Sequence, residues 1–397
     1  MGRPVQRRMD MHRWVMLSAA VLLLRGGLAM YLCGQSRSKN ALSTLFRAVA
    51  ETCVGILAFW AIGGAVLGHS WHRLFDIDGR FDVPMIFCAA VSVIAAAIAV
   101  GPTLERSRSI VWLAGTIVMT AVITPLAWRL AWSHWLLGRG FVDVAGSSFV
   151  FWSAGLCGLI AAMAVGPRLG KYNRDGSTNI LPGHSGPLVS LGIFLMLALW
   201  TPLIAGCILL RGQWVSDSAA VNPVLAGAAA AITAMLYCQF RYGKLDVSLV
   251  HAGLLGGLVC ISGAADQLTS PSAVLAGAVA GVLVPWLAVS LDLYWKIDDP
   301  SGLLAVSLAG GLLGTLATAL TPSERLHRLG AQLVGLALIG LLSVVLCAAF
   351  FLLLRMVRRL RCTEADEYDG LDLAQHDLNA YPDFQQTMIK SYDLREM

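Results

Sequence analysis

The chain has 397 residues, 57% apolar and 13% charged, with 29 Lys and Arg against 24 Asp and Glu, a formal net charge of +5 and a mean hydropathy of +0.70. That is too little polar surface to cover a soluble globule of this size, so a water-soluble enzyme or nucleic-acid-binding module is excluded and an integral membrane protein is expected. The nine cysteines sit mostly inside apolar runs without paired spacing and read as small packing residues, not as metal ligands or disulfides.

Four arginines, Arg3, Arg7, Arg8 and Arg13, precede the first apolar run, which begins near Trp14. Such a basic start resembles a signal peptide, but no A-x-A-like cleavage site follows, so the run is expected to remain as the first span. Further runs of about 20 residues, enough to cross a hydrocarbon core of roughly 30 Å, begin near Leu45, Pro84, Ile110, Ser148, Pro187, Ala219, Leu245, Pro271, Gly302 and Leu329. The expected fold is an all-α polytopic membrane protein of about eleven transmembrane helices.

Basic residues follow each odd-numbered span: Arg37, Lys39 and Arg47; Arg106 and Arg108; Arg168, Lys171 and Arg174; Arg241 and Lys244; Lys296; then Arg355, Arg358, Arg359 and Arg361. Even-side loops, such as the stretch from His69 to Asp82, carry mixed charge. Because Lys and Arg in short loops stay cytoplasmic, the N-terminus is expected outside and the C-terminus inside, against the preference of the four N-terminal arginines.

An odd number of spans per half inverts one half relative to the other. The membrane domain is therefore expected over 1–356, as two inverted five-helix repeats at about 14–167 and 187–320 plus an extra helix at about 329–356. The polar tail, 357–397, holds too few apolar residues for its own core and is left to dock on the membrane domain or stay partly disordered.

One local pattern recurs between the halves. Phe151, Gly155 and Gly158 share their spacing with Ser307, Gly311 and Gly314. Paired glycine-faced helices in corresponding positions are what an internally duplicated channel or transporter shows. No H-E-x-x-H, G-x-S-x-G or phosphate-cradling glycine loop is present, so neither catalysis nor a cofactor is expected.

Five segments together carry a family resemblance: Arg25 to Leu45, holding Ser38-Lys39-Asn40; the run from Asp143, with its D-x-A-G start and its exit at Gly166-Pro167-Arg168; His184 to Leu188; Asp298-Asp299-Pro300; and GLDLAQHDLNAY, Gly370 to Tyr381. In order and spacing they resemble the ammonium transporter family, the Amt/Mep/Rh proteins. That resemblance implies a homotrimer in the inner cell membrane, among membrane lipids, with one pore for ammonium or ammonia through each eleven-helix subunit. It also implies a cytoplasmic tail that couples subunits and meets a PII-type signal protein.

Carried over residue by residue, the resemblance puts Trp132 at the outer recruiting vestibule, an interfacial belt tryptophan being the alternative, and Cys207 where the family has a serine. The two gating phenylalanines fall on Leu67 and Leu203, and the two pore histidines on Phe151 and Ser307. Phe and Ser cannot pass a proton near neutral pH as imidazoles do. Asp143 is expected to hold the pore entrance through backbone hydrogen bonds, with direct cation ligation as the alternative. Asp298 and Asp299 are expected to cap span ten. His251, not a family histidine, is either a hydrogen-bonded structural residue or a substitute proton carrier, and Glu51, near the cytoplasmic end of span two, is expected to be paired or solvated there, with Arg47 one turn away as its partner if paired. Two functions follow: a channel with an atypical pore, or a non-conducting or weakly conducting sensor or regulatory paralogue acting through its tail.

Overall fold

The computed structural model describes residues 3–68, 71–76, 81–320 and 325–381. Among them the chain is helical, with no strand beyond two isolated bridges, Ser107 to Arg361 and Tyr172 to Thr178. In chain order the helices are α1 (Arg3–Gln35), α2 (Ser38–Gly68), α3 (Val83–Thr103), α4 (Ser109–Leu137), α5 (Ser147–Val165), α6 (Gly186–Leu210), α7 (Asp217–Tyr242), α8 (Val247–Ser262), α9 (Ser270–Leu293), α10 (Leu303–Ala317) and α11 (Arg325–Val357). Two short helices, α12 (Glu364–Asp369) and α13 (Leu371–His376), follow.

Nine of these are long and apolar enough to cross a membrane; α8 and α10, with 16 and 15 residues, are shorter apolar helices. α8 is buried from Leu255 to Ser262 but exposed at Val247, and α10 is enclosed by others. In α10 every residue from Leu303 to Gly311 is buried. The most enclosed long helix is α3, buried without interruption from Phe87 to Val100, as a helix apolar on all sides requires. By contrast α7 keeps Val221, Val224, Ile232, Met235, Leu236 and Phe240 exposed, an outward apolar row suited to lipid or to another subunit.

Helix starts are fixed by short polar side chains. The carboxylate of Asp82 accepts from Met85 N–H and that of Asp246 from Leu249 N–H, while the hydroxyls of Ser185 and Ser216 accept from Leu188 and Ala219. Inside the bundle, Glu51 accepts from Arg47 Nε at 2.6 Å, as its spacing predicts, and also from Arg25 Nη2 of α1 at 2.9 Å. The second arginine is a tertiary addition that neutralises the other carboxylate oxygen.

The tail docks, as far as it is described. Asp372 accepts the N–H groups of Leu42 (3.0 Å) and Ser43 (2.7 Å) at the start of α2, and Asn40 Oδ1 accepts from Leu371 N–H at 2.8 Å. Lys39 Nζ donates to the carbonyls of Glu367 and Tyr368, and Glu367 pairs with Arg361 while accepting from Leu169 N–H. Residues 382–397, like parts of the His69 to Asp82 loop, lie outside the described residues.

Candidate functional site

Two carboxylates organise the centre in the same way. Asp143 accepts from the N–H groups of Gly146 (2.8 Å), Ser147 (3.1 Å) and Ser148 (2.7 Å) and from the Ser148 hydroxyl. Asp299 accepts from the N–H groups of Ser301 (3.0 Å) and Leu304 (2.8 Å) and from the Ser301 hydroxyl. Each caps the helix that follows, α5 or α10. Three residues after each stands a glycine in the left-handed region, Gly146 at φ +93° and Gly302 at φ +67°. Eight residues after each stand Phe151 and Ser307, so the two positions are structural counterparts.

Asp298 departs from its expected place as a second cap. Its carboxylate turns away from α10 to the loop after α5, where Arg168 donates from its backbone N–H (2.9 Å), Nε (2.9 Å) and Nη2 (2.8 Å). Arg106 Nη1 lies 3.4 Å away, and Arg168 also pairs with Glu105. Burial alone would raise the Asp298 carboxyl, but hydrogen bonds and charge from Arg168, then Arg106, hold it down at about 2. The reason for the departure is electrostatic: two buried guanidiniums need the carboxylate more than a helix end already served by Asp299.

The glycines that follow Phe151 and Ser307 let α5 and α10 touch. A Cβ on Gly155 would stand 3.0 Å from Ser307 Cβ and 3.1 Å from Leu308 N, and one on Gly311 would stand 2.7 Å from both Ser147 O and Trp152 N. At this crossing Phe151, 1% exposed, stacks on Trp200 of α6 with ring centroids 5.4 Å apart and planes at 17°. Trp200 is held by its indole N–H, which donates to Ser262 Oγ of α8 at 2.8 Å. Ser307 is fully buried and its hydroxyl has no protein partner.

Along α6, Trp200, Leu203, Cys207 and Arg211 recur at helical spacing and share one face. At 1.5 Å per residue this column rises about 16 Å from the Phe151 level. Leu203 and Cys207 are buried at 1% and 0% exposure. Beside Gly206, the residue before Cys207, the ring of Phe87 of α3 fills the space, where a Cβ would meet it at 2.2 Å. Leu67 lies half-buried in the Gly64–Gly68 end of α2, which packs on Thr124–Ala131 of α4. Phe87 was missed because a fully apolar helix gives no periodicity by which to tell one face from another. Its place at the start of the buried α3 run was the available signal.

At the upper end of the column, Trp132 donates its indole N–H to Asp143 O at 2.9 Å. It meets Trp128 and Phe149 edge-on, with centroids 5.4 Å and 5.6 Å away, and those two rings stack on each other at 4.9 Å. Arg211 places its guanidinium 5.8 Å from the Trp132 centroid. Of this group sequence reasoning singled out Trp132 and Asp143; Trp128, Phe149 and Arg211 come from the structure.

At the tail end, a cavity of about 250 Å³ is lined by residues including Tyr31, Gln35, Asp299, Gly302, Ala252 and Ala305, the last being two positions before Ser307. Lys171 and Asp292 pair across its rim at 2.8 Å, with the Tyr172 hydroxyl on the same carboxylate at 3.1 Å. α8 lines this cavity through Ser248, Leu249 and Ala252. His251 instead meets α6, with Nε2 3.3 Å from Ser190 Oγ and a buried Nδ1 that has no partner. Among the described residues no group of three or more His, Cys, Asp or Glu is placed to hold a metal ion.

Comparison with known proteins covers nearly the whole chain. The family described as Ammonium Transporter Family matches residues 13–381. The chain is 30% identical to ammonium transporter Amt2 of Haloferax mediterranei, over 94% of this chain and 90% of that protein. It is also 30% identical to Amt2 of Archaeoglobus fulgidus, over 92% and 86%. Among solved structures, one titled Sensor Amt Protein superposes with a TM-score of 0.86 at 29% identity, covering 94% of this chain and all of that one. Mep2 of Candida albicans shares the fold, with a TM-score of 0.78 at 23% identity over 94% of this chain and 90% of its own.

Proposed function

Since the chain belongs to the Ammonium Transporter Family, we propose that it is a channel moving ammonium nitrogen across the membrane along the α6 column, past Phe151 and Ser307, into the tail-side cavity. The observation that carries this reading is the equivalence of the Asp143 and Asp299 caps, which sets Phe151 and Ser307 at matching positions of the crossing helices α5 and α10, with a buried Ser307 hydroxyl left for a passing solute. In this reading Trp132 forms the outer mouth, with Cys207 below it. The constriction belongs to Phe87 with Leu203 in place of Leu67, and His251 serves as a structural hydrogen-bond partner of Ser190.

Neither Phe151 nor Ser307 holds a proton near neutral pH, and a bare cation near the bilayer centre costs at least about 2.5–3.5 kcal/mol. The species that crosses this level is therefore neutral ammonia. α8 and α10 complete eleven spans as two inverted repeats plus α11. The cationic residues gathered on the tail face, Arg37, Lys39, Arg106, Arg168 and Arg361 among them, support a cytoplasmic tail and an external N-terminus in the inner membrane. The exposed apolar row of α7 supports a homotrimer, and the docked tail is the surface for a PII-type partner.

A second reading has its own support. Phe151 is stacked and almost fully covered, and a similar solved structure is titled Sensor Amt Protein. A protein that binds ammonium nitrogen without passing it would report occupancy through the tail.

Reconstitution separates the two. Liposomes holding the full chain receive an ammonium pulse on a solid-supported membrane, with internal pH followed by an enclosed dye and protein-free liposomes as background. Conduction of ammonia gives internal alkalinisation above background. Silence in both current and internal pH overturns the channel reading and leaves the sensor.

A further inference from the structure

The α6 column ends on a charge. Arg211 closes the helix one turn beyond Cys207, half-buried, with its guanidinium 5.8 Å from the centroid of the Trp132 ring. Its Nη1 is buried and has no hydrogen-bond acceptor. The ring it faces is fixed by the bond from Trp132 Nε1 to Asp143 O and by edge contacts to Trp128 and Phe149. A cation over an indole face is itself an attractive pairing, so Arg211 is held where an incoming monovalent cation would gain most from the aromatic surface.

The hydrogen-bonding inventory points the same way. Trp128 Nε1, in the same ring cluster, is buried without an acceptor, like Arg211 Nη1. The Asp143 carboxylate beneath the cluster is taken up by three backbone N–H groups and the Ser148 hydroxyl. Cys207 adds only a weak thiol acceptor. The mouth thus presents unused donors and a positive charge. Ammonium has four donors, a positive charge and no lone pair; ammonia is neutral and accepts through its nitrogen.

We propose that Arg211 is a tethered cation that occupies the Trp132 face and sets the specificity of this mouth, rejecting ammonium and admitting neutral ammonia. The proton of ammonium stays with water on the outer side, and only the amine enters. The substrate half of this statement rests on the channel reading above; the rejection of cations at the mouth does not.

The test is binding of methylammonium to the full chain in detergent, read by tryptophan fluorescence at constant ionic strength with potassium chloride as the control salt. Wild type should show no saturable response. Arg211→Met and Arg211→Gln, which keep an uncharged stem, should bind saturably, at least about tenfold more tightly than the lower limit wild type sets, as expected when a like charge leaves an aromatic face. Arg211→Lys should behave as wild type, and adding Trp132→Leu to Arg211→Met should abolish the gain. Both neutral variants are used because each must first elute as a single species from size exclusion. Equal binding by wild type and either folded neutral variant overturns the proposal, as does a gain that survives Trp132→Leu. In liposomes the neutral variants should still show no sustained ammonium-evoked current, because Phe151 and Ser307 pass only the neutral amine. If binding is gained but no variant moves ammonium or ammonia, the channel reading fails while the charge filter stands.

Discussion

Phe151→Ala tests whether the centre of the bundle is packed or wet. The ring is 1% exposed and lies at 17° to Trp200 with centroids 5.4 Å apart, so truncation removes a packed, stacked ring and not one projecting into a hydrated lumen. Removing a packed Phe side chain costs about 3–5 kcal/mol, of which the ring pairing accounts for about 0.5–1.5 kcal/mol. Domains of 150–250 residues lose about 2–4 °C per kcal/mol, and a longer chain sits at or below the low end, so a fall of about 6 °C in the unfolding midpoint is expected. The assay is thermal unfolding of the detergent-solubilised chain at one scan rate, beside wild type, with the liposome measurement run on the same preparation. The same variant should increase ammonia flux, because the ring that fills the crossing is gone. A midpoint shift under about 1 °C would refute the packing argument, since water would then already occupy the space that the ring is said to fill.

The Asp298 carboxyl is held at about 2, below the ordinary value near 3.9, so its contribution of about 2–3 kcal/mol is complete above pH 4 and is lost as the pH falls from there towards 2. Stability measured from pH 7 to pH 3 should therefore fall less steeply in Asp298→Asn than in wild type, while at pH 7 the variant is weaker by about 3–5 kcal/mol because Arg168 and Arg106 remain buried. Gly311→Val should prevent normal folding or cost about 1–3 kcal/mol or more, read as lost monodisperse yield, because the backbone atoms Ser147 O and Trp152 N cannot withdraw from its Cβ. Gly26→Ala, where a Cβ meets nothing within 4 Å, should be neutral or slightly stabilising in the same assay. Asp372→Ala removes the acceptor for the Leu42 and Ser43 N–H groups and should cost about 1–2 kcal/mol of local stability, seen as faster limited proteolysis of the tail with no change in the midpoint of the bundle.

Membrane class, span order, the polar tail and the paired glycine helices were legible from residue order alone, because each follows from local facts: how long an apolar run is, and how often a small residue recurs along a helix. The correspondence between α5 and α10 was even more legible than the glycine triplets suggest, since Asp143 and Asp299 stand at the same distance ahead of Phe151 and Ser307 and each is followed three residues later by a glycine. What local order could not decide was which side chain meets which across the bundle. Asp298 and Asp299 are neighbours with the same side chain, yet one caps α10 and the other neutralises Arg168, because only the folded chain brings the loop after α5 within reach. Phe87 packs on Gly206 of α6 because α3 threads the middle of the bundle, and a helix buried on all sides carries no mark of the face it turns to α6. Arg211 is one more arginine after an apolar run until the fold lays it over Trp132, 79 positions earlier in the chain. Residue order therefore determined the solvent each segment accepts, and tertiary packing alone decided the chemistry around Trp132, since charge and aromatic face act only over the few ångströms that folding sets between them.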